Sequence, residues 1–199
     1  MAEVSARLVK ELRDRTGAGM MECKRALQEA DGDLDKAEEI LRTKGLASAA
    51  GRAGRSANQG LIEAYIHFNN TVGAMVEVNC ETDFVANTDE FKQLAKDLAL
   101  HITSARPIAV RVEDVPADVV ERERRVYTAQ VAEEKKPDAV KAKIIEGKLR
   151  KFFEEQVLLE QPFVKDDKVT VGELVKALSG KTGEKVEVRR FARFELGGN

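Results

Sequence analysis

The sequence is short of several things, and each shortage removes a class of protein. No run approaches the roughly 20 apolar residues that a transmembrane helix needs. The opening residues Met1-Ala2-Glu3-Val4-Ser5-Ala6-Arg7 lack the basic and apolar blocks of a secretory leader, so residence in the cytoplasm is expected. Cysteine occurs only at Cys23 and Cys80. No pair of cysteines has metal-ligand spacing, and in the cytoplasm both are expected to be reduced thiols acting as small apolar side chains. A basic excess is missing too. The 33 Lys and Arg stand against 35 Asp and Glu, giving a formal net charge of −2. Counterion release drives nucleic-acid binding, so this balance argues against a direct nucleic-acid contact.

Catalytic signatures are equally scarce. The chain has no G-x-x-x-x-G-K-[ST], no H-E-x-x-H and no G-x-S-x-G. Gly17-Ala18-Gly19 opens no G-x-G-x-x-G and follows a helical segment, so it reads as a turn. The two histidines, His67 on a strand and His101 late in a helix, read as structural. No catalytic constellation, cofactor or metal site is therefore expected.

What is present is a chain of 199 residues, 43% hydrophobic and 34% charged, which is apolar enough to bury a core. Its start reads as three short helices. Val4, Leu8 and Leu12 recur at helical period with Val9 beside them; Met20, Cys23, Leu27 and Ala30 share one side of a second helix. Asp33 can cap a third, with Leu34, Ala37, Ile40 and Leu41 inward and Gly45 as its stop. The expected domains are 1–45, three helices; 46–60, a linker rich in Ala, Gly and Ser; and 61–199, a core.

From Leu61 the period becomes two. Ile62, Ala64, Ile66 and Phe68 alternate with Glu63, Tyr65 and His67, which predicts a strand burying its apolar face. Asn69-Asn70 suits a hairpin turn, and Val72, Ala74, Val76, Val78 and Cys80 continue as the partner strand. Val186, Val188, Arg190, Ala192 and Phe194 predict a third strand of the same sheet. Phe91, Leu94, Ala95, Leu98 and Ile102 mark an amphipathic helix started by Asn87 or Thr88. Segments from about Pro116 to Glu134 and Pro137 to Glu155 predict a helical hairpin, and Val171, Leu174, Val175 and Leu178 a last helix. The class is α+β, with a small antiparallel three-stranded sheet packed with helices.

One segment stands apart, Glu81-Thr82-Asp83-Phe84-Val85-Ala86-Asn87, at a strand-to-helix junction. Phe84 there has two readings. It folds beneath the helix into the core, or it projects beside Asp83 as an anchor for a partner's pocket.

Residues 77–87, Glu-Val-Asn-Cys-Glu-Thr-Asp-Phe-Val-Ala-Asn, resemble one signature of the elongation factor Ts family. Residues 12–27, from Leu12-Arg13-Asp14-Arg15-Thr16-Gly17 to Lys24-Arg25-Ala26-Leu27, resemble the other. Leu158 to Val164 and Val188 to Leu196 are similar to the family as well. The resemblance implies that the first three helices form a ubiquitin-associated-like bundle and that the chain is a guanine nucleotide exchange factor for elongation factor Tu. It implies that Thr82, Asp83, Phe84 and Val85 approach the partner's magnesium, Phe84 entering an apolar pocket while Asp83 disturbs the metal's surroundings. Arg13, Met20, Met21 and Lys24 are expected to make a second contact. Met20 and Met21 are adjacent, so only one is expected to face the core. The single core unit resembles short family members that act as homodimers, two copies embracing the partner in a two-plus-two complex. Some of these carry a linking cysteine near the C-terminus, where this chain has Ala192, so no crosslink is expected. A rival reading is a tether that binds proteins without affecting nucleotides.

Overall fold

In the computed structural model residues 4–198 are described, except for the side chains at positions 46 and 50. Two compact units are built from interleaved stretches of chain. One comprises the segment up to Leu61, Val78–Gln93 and Glu173–Glu187; the other comprises Ile62–Glu77, Leu94–Gly172 and the segment from Val188.

In the first unit, α1 (Ala6–Thr16), α2 (Met20–Glu29) and α3 (Leu34–Ala50) form the expected bundle. Ser5 caps α1, and Gly17 closes it at a φ of 67°, which favours glycine. Asp33 caps α3 by accepting from the Asp35 and Lys36 amides. The core of the bundle is Val9, Leu12, Cys23, Ala26, Leu27, Ala30 and Ala37. Two expectations are corrected here. Met20 is not on the buried face of α2; Ala26 fills that side instead. Gly45 does not stop α3, which runs one turn further. Its missing side chain serves a close approach of backbones: a Cβ on Gly180 of α8 (Val171–Thr182) would lie 3.0 Å from the Gly45 Cα. Arg42–Glu173 and Arg52 to the Ser179 carbonyl add polar ties at 3.5 and 3.3 Å.

β1 (Gln59–Ile66), β2 (Val72–Cys80) and β5 (Glu187–Glu195) form an antiparallel sheet in the order β1-β2-β5. Asn70 takes the left-handed φ of 57° in the β1–β2 turn. On β2, Ala74, Val76, Val78 and Cys80 are buried, as the alternation predicts. On β1 the period is as predicted but the faces are reversed. Ile62, Ala64, Ile66 and Phe68 are exposed, while Leu61, Glu63, Tyr65 and His67 are half-buried. The covering helix lies on the opposite face: in the second unit, Arg193 of β5 donates to the Thr103 carbonyl of α5 (Asp89–Ala105) at 3.2 Å. The burial alternation of β5 changes phase at Arg189 and Arg190, both exposed; beyond them Ala192 and Phe194 are exposed and Phe191 and Arg193 half-buried.

Thr88 starts α5 by accepting from the Phe91 amide, and the predicted stripe Phe91, Leu94, Ala95, Leu98, Ile102 is buried. α6 (Ala117–Ala132) and α7 (Asp138–Gln156) form the helical hairpin. Each begins just after a proline, and Arg124–Glu146 at 2.6 Å joins them. Beyond α7, β3 (Pro162–Phe163) pairs with β4 (Asp166–Thr170).

His101 is fully buried in the second unit. Its Nδ1 accepts from the Val164 amide at 3.2 Å, so Nε2 carries the proton and faces the Gln161 carbonyl oxygen at 3.0 Å. Burial holds the imidazole pKa below its ordinary value, outweighing the Gln161 bond. The unfolded chain therefore takes up this proton before the folded one does. Stability from this site is present above about pH 6.5 and lost as pH falls through that value. The urea midpoint is expected to drop between pH 7 and pH 5, and His101→Gln to flatten that dependence. An unchanged slope in the variant would assign the acid sensitivity to other groups.

Candidate partner-binding site

The connection from β2 to α5 is short, and its own hydrogen bonds define its shape. Thr82 has extended φ and ψ of −127° and 156°, and its hydroxyl accepts from the Val85 amide, capping the single turn α4 (Asp83–Ala86). Asn87 Nδ2 donates to the Asp83 carbonyl at 2.9 Å, and Thr88 Oγ1 to the Val85 carbonyl at 2.8 Å. Ala86 is buried and roots the turn. Phe84 is 82% exposed and Asp83 is exposed beside it, while Thr82 and Val85 are half-buried. Of the two readings of Phe84, the side chain adopts the outward one.

The turn is braced from the α8–β5 connection. Glu184 accepts from the Thr82 amide at 3.0 Å and from its hydroxyl at 2.6 Å. Glu81, half-buried, accepts from the Lys185 amide at 2.6 Å and from Arg55 at 3.2 Å. The Lys185 amide chiefly, and Arg55 with it, hold the Glu81 carboxyl below the usual carboxylate range. Cys80 is buried and its thiol is pushed up to about 11, by burial first and then by the Glu184 charge. It donates to the Thr82 carbonyl at 3.1 Å, one more tie on the same turn.

The second group of predicted residues lies on the bundle. Arg13 is exposed on the last turn of α1; Met20, Met21 and Lys24 are exposed on the first two turns of α2. The expectation that one methionine faces the core is corrected, since Met20 is 51% and Met21 63% exposed. Gly19 lets α2 start beneath them, its amide donating to Glu22. Both groups belong to the first compact unit.

Glu184 and Glu81 are the residues that sequence reasoning passed over. The signal was indirect: once the last strand is paired antiparallel with β2, its start falls beside the end of β2. The turn Thr182-Gly183-Glu184 then has to lie near Thr82. Chemically the site offers an exposed aromatic ring and a free-standing carboxylate on a braced turn, the equipment of docking. Among the described residues no three of His, Cys, Asp and Glu converge as metal ligands, and no helix is long and apolar enough to cross a membrane.

Comparison with known proteins places this geometry in context. The profile of the family described as elongation factor TS matches residues 35–198. A protein of Carboxydothermus hydrogenoformans named elongation factor Ts is 57% identical over 194 residues, spanning 98% of this chain and 89% of its own length. Its namesake from Desulfosudis oleivorans is 52% identical over 197 residues, covering 99% and 100%. That of Thermotoga maritima is 52% identical over 195 residues, covering 98% and 97%.

Proposed function

The chain belongs to the elongation factor Ts family, and from that premise we propose that it binds elongation factor Tu carrying GDP, perturbs the magnesium site of that GTPase and promotes GDP release so that GTP can bind. The observation that carries this reading is the outward Phe84 beside Asp83 on a turn fixed at both ends. A fixed aromatic enters a pocket without first losing the entropy of a mobile loop. Magnesium requires near-ideal octahedral geometry, so Asp83 brought near its ligands makes a small displacement expensive. With that cation displaced, the GDP phosphates lose their neutralising charge and the nucleotide leaves.

Linkage makes the action reversible. A factor that weakens GDP binding is itself weakened by GDP to the same degree, so incoming nucleotide releases it. It acts as an exchange factor in the cytoplasm and performs no bond chemistry of its own. Thr82 and Val85 shape the tip, and Arg13, Met20, Met21 and Lys24 add a second, adaptable contact. The active form is a homodimer in a two-plus-two complex. The exposed sheet face of Ile62, Ile66, Phe68, Met75, Phe194 and Leu196 supports this, being an apolar surface with no covering layer in the described chain.

The test is release of fluorescent GDP from purified elongation factor Tu at fixed magnesium, with and without this protein. Marked acceleration is the expected outcome. Binding without acceleration would favour the tether and remove the exchange reading.

A further inference from the structure

We propose that Glu184 is a positioning residue, one that holds the Asp83–Phe84 tip in its docking geometry by way of Thr82. The inference rests on the exchange reading given above and extends it to a residue 102 positions from Thr82. The Glu184 carboxylate takes both protons that Thr82 has to give, from the amide at 3.0 Å and from the hydroxyl at 2.6 Å. A hydroxyl whose proton is committed to Glu184 must present its lone pairs elsewhere. One of them accepts from the Val85 amide and thereby caps α4. Glu184 thus orients the cap, the cap sets the first turn, and the turn aims Phe84 outward.

Glu184 is itself well held. Its carbonyl accepts from Ser179 Oγ at 2.6 Å, and its amide donates to Thr182 Oγ1 at 3.4 Å. Gly183 before it has a φ of 74°, a turn conformation that other side chains rarely adopt. The brace is therefore a fixed turn, and the neighbouring Lys185 amide to Glu81 bond repeats the same bridge one residue along. The two donors meet different oxygens of the carboxylate. Glutamine keeps the reach but turns an N–H₂ group toward one of them, so one bond is lost.

The experiment compares the intact protein with Glu184→Gln, Thr82→Val and the double variant in GDP release from elongation factor Tu. Each is titrated to separate half-saturating concentration from maximal rate, and amide exchange at Val85 is followed in the free proteins. Each single variant is expected to lower the second-order exchange constant about tenfold, mainly through half-saturation. The double variant should lose no more than either single, because both act on one hydroxyl. Val85 exchange should quicken in all three while the unfolding midpoint moves little.

Losses that multiply in the double variant would overturn the proposal, since Glu184 would then act apart from Thr82. Full activity of Glu184→Gln, or a loss matched by its unfolded fraction alone, would also overturn it. Val85 exchange is read without the GTPase. A wild-type protein that releases no GDP would therefore sink the exchange reading, while Val85 protection would still decide the positioning role.

Discussion

Phe84→Ala is expected to cut the acceleration of GDP release by about a hundredfold, with the fold left in place. Truncating a central aromatic anchor typically costs about 2–4 kcal/mol of binding, and 1.4 kcal/mol is tenfold. The ring is 82% exposed, so its removal takes almost nothing from the core, and surface changes of that kind usually stay within about 0.5 kcal/mol of stability. The contrast is the substance of the prediction: a large effect on the partner and a negligible one on the thermal midpoint. Asp83→Asn provides the companion measurement. If the carboxylate acts on the magnesium site, its loss should slow release more at high magnesium than at low, where the metal already dissociates readily. A Phe84→Ala protein with full exchange activity would sink the assignment of the tip. One that unfolds would return Phe84 to the core.

Phe194→Asp is expected to convert a homodimer into a monomer, reducing the mass in sedimentation from twice 22.0 kDa to 22.0 kDa. Phe194 is 70% exposed on the open face of the edge strand β5, with Met75 on the neighbouring β2 and Ile62 and Ile66 on β1 beyond. In the proposed homodimer a second copy covers this surface. It is nearly all apolar, and its charged pair, Glu77 with Arg190 at 2.7 Å, is already joined within the chain. A surface of that kind is complementary to itself, as a two-fold interface requires. Six large apolar side chains from each copy suit a standard interface of about 800 Å² per partner. Because the symmetry brings in two aspartates at once, each buried without a counter-charge, the dissociation constant should rise by roughly a thousandfold or more. Exchange activity should fall with it if two copies together hold the partner. A wild-type protein that stays monomeric at high concentration would remove the dimer from the proposal.

Much of the local structure was readable because local chemistry decides it. The Asp33 cap, the start of α5 at Thr88, the glycine and asparagine turns and the stripe of α5 all depend on neighbours within a few residues. What failed depended on distant partners. The β1 pattern has the right period, but period alone does not say which face a helix will cover, and Ile62, Ile66 and Phe68 ended outside. Gly45 looks like a helix stop in isolation, yet it sits opposite Gly180, whose position no local pattern reveals. The change of burial phase at Arg189 and Arg190 leaves no mark in composition, and β3 is two residues long. The candidate site divides the same way. Phe84 and Asp83 were visible as anomalies, but their direction was not, and Glu184 gained its meaning only through a bond spanning 102 residues.

That span also sets an order of events during synthesis. Thr82 leaves the ribosome well before Glu184, and at roughly 5–20 residues per second the wait is on the order of 5–20 s. Over that interval the β1–β2 hairpin lacks β5, and a lone hairpin is only marginally stable in water. The tip therefore acquires its brace late, once the α8–β5 turn has emerged. A nascent chain halted before that turn carries the recognition residues without the geometry, and so should not engage the GTPase prematurely. Competence arrives with the closing of the sheet, which couples the timing of function to a late, non-local contact.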